Sequence, residues 1–131
     1  MRGDQLKVPI YIGQPVAGAP YTPAIQSNGL IFVSGQIPIL SETGELMEGE
    51  FVEEVEQCLQ NLQRLLEAAG SSMEQVVKVT VYLRDMALFS QMNAVYRKHF
   101  GEVKPARTCI EVSALPLNAR IEIEAIAEAS S

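Results

Sequence analysis

Between Phe51 and Ala69, apolar residues recur at three- and four-residue steps: Phe51, Val55, Cys58, Leu59, Leu62, Leu65, Leu66 and Ala69. That is the period of an α-helix with one apolar face. Gly70 stands where a left-handed C-cap glycine belongs. A helix of this kind must lay its stripe on something, and the rest of the chain supplies strands to receive it. Leu30-Ile31-Phe32-Val33 is a continuous apolar run, which predicts a strand buried on both faces. Val76 to Leu83 alternates, with Val77, Val79, Val81 and Leu83 against Lys78, Thr80 and Tyr82. Asp85 then reads as the N-cap of a second helix. That helix runs to about Phe100, with Leu88, Phe89, Met92, Val95, Tyr96 and Phe100 as its stripe. Two more alternating segments follow, Ala106 to Val112 and Arg120 to Ala127. The order is strands, helix, strand, helix, two strands. It predicts an α+β sandwich, a sheet with both helices on one face.

No repeat, low-complexity tract or linker divides the 131 residues, so residues 1–131 are expected to form one domain. The glycine- and proline-rich stretch from Gly13 to Pro23 is a loop that carries Tyr21. The last two strands are sequence neighbours, and antiparallel pairing is the default for them. The register that best matches charges sets Glu111 across from Arg120, Cys109 across from Glu122 and Arg107 across from Glu124. Arg107, Cys109, Glu111, Glu122 and Glu124 would then share one face, with Thr108 on the core side. That face would not be fully wet. Two helices cover only one side of a sheet, and Phe32, Tyr82 and Ile126 add apolar surface to the other. A homo-oligomer that buries this face is expected.

Charge and composition exclude several classes. The net charge is −6 and no basic stripe occurs, which argues against nucleic-acid and membrane partners. Cys58 and Cys109 make no disulfide framework, the start of the chain lacks a signal-peptide core, and no segment is long enough for a membrane span. A cytoplasmic protein is expected. One histidine, His99, and two distant cysteines form no zinc cluster, and no phosphate loop or dinucleotide fingerprint occurs. Cys58 lies on the first helix's stripe and reads as a small core residue. Cys109, two residues from Arg107, could be a somewhat acidified thiol. What remains is cofactor-free acid–base or hydration chemistry on a small anion. Arg107 would grip a carboxylate through a two-pronged contact, and Glu122 or Glu124 would orient or deprotonate water.

Several segments together resemble one known family. They are "SGQIP" at 34–38, "VVKVTVYLRD" at 76–85, "NAVYRKHF" at 93–100, "PARTCIEV" at 105–112 and "IEIEAIA" at 121–127. In this order they resemble the reactive intermediate deaminase family, RidA/YjgF, from about Ala19 onward. The resemblance implies a chorismate-mutase-like fold with a mixed sheet, and a homotrimer with sites between subunits. It implies hydrolysis of 2-enamine and 2-imine acids, such as 2-aminoacrylate and 2-iminobutyrate, to 2-keto acids and ammonia. That is a damage-control activity needing no cofactor or metal. The family's carboxylate-binding arginine falls on Arg107 and its water-positioning glutamate on Glu122. Its site cysteine falls on Cys109, its loop tyrosine on Tyr21, its pocket wall on Ser34 and Gly35, and a nearby asparagine on Asn93. Ala19 replaces the glycine that usually opens the Gly-Pro-Tyr of that loop, and Thr108 replaces the serine after the arginine. The competing expectation is a non-catalytic trimer that binds a keto or amino acid for regulation.

Overall fold

The computed structural model describes residues 6–130; the first five residues, including most of the polar start of the chain, lie outside them. Six strands form one sheet in the order β1-β2-β3-β6-β4-β5. They are β1 (Val8–Ile10), β2 (Ala24–Ser27), β3 (Leu30–Gln36), β4 (Val76–Leu83), β5 (Ala106–Glu111) and β6 (Ile121–Glu128). Two helices, α1 (Phe51–Ala68) and α2 (Phe89–Tyr96), pack against each other and against one face of the sheet.

The first helix is where its apolar stripe predicts. Val55, Cys58, Leu59, Leu62 and Leu66 are fully buried, and Gly70 takes φ 79° just past its end. Its start is fixed by a reciprocal cap in which the Glu50 amide donates to Glu53 Oε1 at 3.1 Å. The second helix is shorter than expected. Asp85 does cap, accepting from the Ala87 amide at 2.9 Å, but it opens a single 3₁₀ turn that leads into α2. Past Tyr96 the turn tightens, with the Lys98 and His99 amides donating to the Val95 and Tyr96 carbonyls at 3.1 and 3.0 Å, and Phe100 and Gly101 then adopt left-handed φ values of 75° and 78°. Lys104 Nζ fills that end, donating to the carbonyls of Arg97, His99 and Gly101 at 2.7–2.9 Å.

The pairing of the closing strands departs from expectation. β5 runs parallel to β4, with Val79 opposite Arg107 and Val81 opposite Cys109. β6 lies between β3 and β4, antiparallel to both. Thus β4-α2-β5 is a crossover unit, which parallel pairing requires. The predicted hairpin register is replaced by Tyr82 opposite Glu122 and Thr80 opposite Glu124. The physical reason is burial. Ile121, Ile123, Ala125 and Ala127 are all at most 4% exposed, which suits a central strand, whereas β5 is half-exposed along its length and suits an edge. β3 is also corrected: Ile31 and Val33 are buried, but Phe32 stands 41% exposed on the open face. The turn into β3 is Asn28-Gly29, both at positive φ, a two-residue hairpin turn that the apolar run alone did not reveal.

The two faces now separate. Residues directly paired across strands point the same way. Arg107, Cys109 and Glu111 therefore lie on the helix-covered side with Val79, Val81 and Leu83. Glu122, Glu124 and Ile126 lie on the open side with Lys78, Thr80, Tyr82, Thr108 and Ile110. Thr108 is not core-facing; its hydroxyl accepts from Lys78 Nζ at 2.9 Å.

Candidate functional site

The expected site residues fall into two groups, not one. The first gathers around Glu122. β3 carries a bulge between Val33 and Gln36, at Ser34-Gly35. Ser34 binds the preceding loop twice: its amide donates to the Pro23 carbonyl at 2.9 Å and its hydroxyl to the Thr22 carbonyl at 2.6 Å. This fixes the segment that carries Tyr21. Behind the bulge, the buried Cys58 thiol donates to the Gln36 carbonyl at 3.4 Å. Asn61 Nδ2 donates to the carbonyls of Ile37 and Ile39 at 3.1 and 3.0 Å. Gly35 has a steric reason: a methyl group there would run into the Glu122 carboxyl group, which occupies the space a side chain would take. Tyr21, Ser34, Gly35 and Glu122 line one open cavity of about 740 Å³, walled further by Ile37, Ile39 and Leu117. Burial, and then the charge of Glu124, raise the Glu122 carboxyl above its ordinary pKa. Glu124 itself accepts from the Tyr82 hydroxyl at 2.9 Å.

The second group gathers around Arg107. Its Nη1 donates to Asn93 Oδ1 at 2.7 Å and lies 3.9 Å from Met92 Sδ. Its guanidinium carbon sits 4.7 Å from the centre of the Tyr96 ring and 5.5 Å from that of Phe89. Among the described residues no carboxylate forms an ion pair with it. Cys109 follows on the same face. Its thiol pKa is raised because burial outweighs the lowering influence of Arg107, so the acidified thiol expected from sequence is not found.

Tyr21, Ser34, Gly35 and Glu122 are thus brought together, as are Asn93, Arg107 and Cys109. The shared face of Arg107 and Glu122 expected from the hairpin register is not formed within the chain: the two point to opposite sides of the sheet. Nor does Glu111 partner Arg120. Glu111 Oε1 accepts from the Met86 amide at 2.8 Å, while Arg120 is held by Glu54 through contacts of 3.1 and 2.7 Å. His99 Nε2 lies 3.2 Å from Glu56 Oε2. Among the described residues no group of three His, Cys, Asp or Glu side chains could hold a metal ion, and no helix is long and apolar enough to cross a membrane. Sequence reasoning missed the aromatic surroundings of Arg107. The signal was present: Phe89, Met92, Asn93 and Tyr96 are spaced to share one helical face, and Asn93 interrupts an otherwise apolar stripe.

Comparisons with known proteins agree with the fold. A family model described as Endoribonuclease L-PSP matches residues 12–129. A RutC family protein of Pyrococcus horikoshii is 52% identical over 82% of this chain and 86% of its own length. Reactive Intermediate Deaminase A, chloroplastic, of Arabidopsis thaliana is 43% identical over 86% of this chain and 60% of its own. Among solved structures, that of Escherichia coli TdcF with bound serine superposes with a TM-score of 0.84 at 33% identity, covering 94% of this chain and 99% of that one.

Proposed function

We propose that this chain, which belongs to the Endoribonuclease L-PSP family that includes RidA/YjgF, hydrolyses 2-imine and 2-enamine acids such as 2-iminobutyrate and 2-aminoacrylate to 2-keto acids and ammonia. It works in the cytoplasm as a homotrimer and without a cofactor. The observation that carries the reading is Arg107: a stacked, half-buried guanidinium whose bonded oxygen acceptor is the neutral amide of Asn93. Such a cation is open to a substrate carboxylate. The family name of one relative supplies the reaction class, and the bound serine of another shows that a relative takes a small amino acid.

Arg107 and Glu122 face opposite sides of one sheet, so a complete site takes Arg107, Asn93 and Cys109 from one copy and Tyr21, Ser34, Gly35 and Glu122 from the next. Phe32, Ile110 and Ile126, apolar and at least partly exposed on the open face, are the surface a second copy would cover. At this joint site Arg107 holds the substrate carboxylate and Glu122 holds a water against the imine carbon. That carbon is already electrophilic, so positioning supplies most of what is needed. Water oxygen bonds to the carbon, the C=N electron pair moves to nitrogen, and nitrogen takes a proton. Glu122, as carboxylate, accepts the water's proton and passes it to that nitrogen. The resulting carbinolamine then expels ammonia as its hydroxyl becomes the keto group.

The test is subunit complementation. Arg107→Ala and Glu122→Gln are each expected to slow 2-ketobutyrate release from 2-iminobutyrate, generated in situ, by roughly 100-fold or more. Mixed trimers of the two are expected to regain activity, because one interface then holds both intact groups. Failure to regain activity would sink the shared site. Full activity of Arg107→Ala would sink the deaminase assignment, and tight keto-acid binding without ammonia release would replace it with a regulatory binding role.

A further inference from the structure

The arginine at the centre of that reading sits on β5, an edge strand whose other face is exposed, and nothing on its own strand fixes its long side chain. What fixes it is α2. Phe89, Met92, Asn93 and Tyr96 occupy positions i, i+3, i+4 and i+7, one face of the helix. All four touch the guanidinium group, and they differ in what they provide. Asn93 supplies a directional hydrogen bond at 2.7 Å. Met92 supplies a soft, weak sulfur contact at 3.9 Å. The Tyr96 ring supplies the nearer aromatic face, at 4.7 Å, and Phe89 the farther, at 5.5 Å.

Tyr96 carries a second oddity. It is 6% exposed, and its hydroxyl is the buried side-chain polar atom left without a hydrogen-bond partner among the described residues. A buried tyrosine usually finds a partner for that group. Burial also pushes the phenol up to about 12 despite the opposing charge of Arg107, so the hydroxyl stays neutral. The ring is packed against Phe100 at a centroid distance of 4.7 Å, which fixes its plane. The ring, and not the hydroxyl, is the part of Tyr96 that meets Arg107.

We propose that Tyr96 is a positioning residue for substrate binding, its ring holding the Arg107 guanidinium in place and uncompensated in charge, with Phe89 as the second, weaker support. A cation over a ring is held without a counter-charge. An aspartate or glutamate in the same place would hold the arginine as firmly but neutralise it. The aromatic bracket thus keeps the cation both ordered and available to a substrate carboxylate. This inference rests on Arg107 being the carboxylate clamp.

The experiment measures the Kd of 2-ketobutyrate by calorimetry, together with KM and kcat for 2-iminobutyrate, on the purified oligomer. Tyr96→Leu is expected to raise Kd and KM by about fivefold with kcat within roughly twofold of the parent. Tyr96→Phe, which keeps the ring and removes only the orphan hydroxyl, is expected to bind like the parent. Phe89→Leu, at the half-buried support, is expected to raise Kd by a smaller factor and serves if Tyr96→Leu fails to fold. Parent-like affinity in both leucine variants would overturn the proposal, as would a Tyr96→Phe loss equal to that of Tyr96→Leu. An Arg107→Leu arm separates the two levels. If it binds 2-ketobutyrate as the parent does, the clamp itself is wrong; if it loses binding while the aromatic variants do not, only the role of Tyr96 is wrong.

Discussion

Arg107 and Arg120 each lie over an aromatic ring, yet their surroundings suit them to opposite tasks. The Arg120 guanidinium carbon is 5.3 Å from the Phe51 ring, and its nitrogens fork onto both oxygens of Glu54 while a third contact reaches the Gly49 carbonyl. Glu54 is only 6% exposed, so its carboxylate depends on that arginine. The pair ties the start of α1 to the start of β6. Arg107 has comparable stacking and a comparable hydrogen bond, but its acceptor is an amide. The difference lies in the acceptor's charge, not in burial or stacking. One arginine is satisfied by the fold, and the other is ordered by the fold with its charge left over.

The contrast can be broken most sharply by the same substitution at both positions. Arg120→Met is expected to destabilise by about 2 kcal/mol, because it leaves Glu54 buried and unpaired. The figure is set below that of a fully buried pair because the Arg120 side chain is 43% exposed. Arg107→Met should change stability by less than about 0.5 kcal/mol. Urea denaturation of the two variants would settle this, and equal losses would erase the distinction. The next effect converts one kind of arginine into the other. Asn93→Asp puts a carboxylate where the amide oxygen is, and is expected to raise the Kd of 2-ketobutyrate roughly tenfold, about 1.4 kcal/mol, while slightly stabilising the protein. Unchanged affinity would show that charge balance at Arg107 is immaterial. In the reverse direction, Glu54→Gln keeps the shape of the Arg120 partner but not its charge, and should cost about 1 kcal/mol in the same denaturation assay.

The smallest expected effect concerns pH. The folded-state pKa of Glu122 is raised, so the folded protein favours its protonated form more than the unfolded chain does. The penalty is absent below the unfolded pKa and present above the folded one. Glu122→Gln should therefore be slightly more stable than the parent at neutral pH, with the advantage fading as pH falls through that window. Denaturation midpoints at neutral and acidic pH would check it. A gain that grew on acidification would reverse the sign of the argument.

Much of this layout could be seen in the residues. The α1 stripe, the Gly70 cap, the Asp85 cap and the inward phase of Ile121, Ile123, Ala125 and Ala127 follow from local periodicity and side-chain size, and all are present. The choice of neighbours was harder. β5 and β6 adjoin in sequence, but adjacency does not say which strand deserves the middle of the sheet. The almost wholly buried phase of β6 against the mixed phase of β5 was the relevant contrast. Its consequence reaches the site directly. On an edge strand both phases are part-exposed, so alternation alone could not tell whether Arg107 or Thr108 faced the helices. The wrong choice put Arg107 on the same face as Glu122. The residues around Arg107 were legible only as a helix stripe, because a stripe that packs on a core and one that packs on a guanidinium look alike.

The place of β6 also bears on how the molecule comes together in time. β1, β2 and β3 form one piece of sheet, β4 and β5 another, and only β6 hydrogen-bonds to both. Its partners Ile31 and Val79 are far from Ala127 and Ala125 in sequence, so these pairings close long loops and form slowly. Until β6 docks, β3 and β4 each present an unpaired edge, an opening for association with the wrong chain. Because Glu122 rides on β6, the strand that seals those edges also delivers the carboxyl group to the cavity. A half-assembled chain therefore lacks Glu122 at the cavity until the sheet is whole.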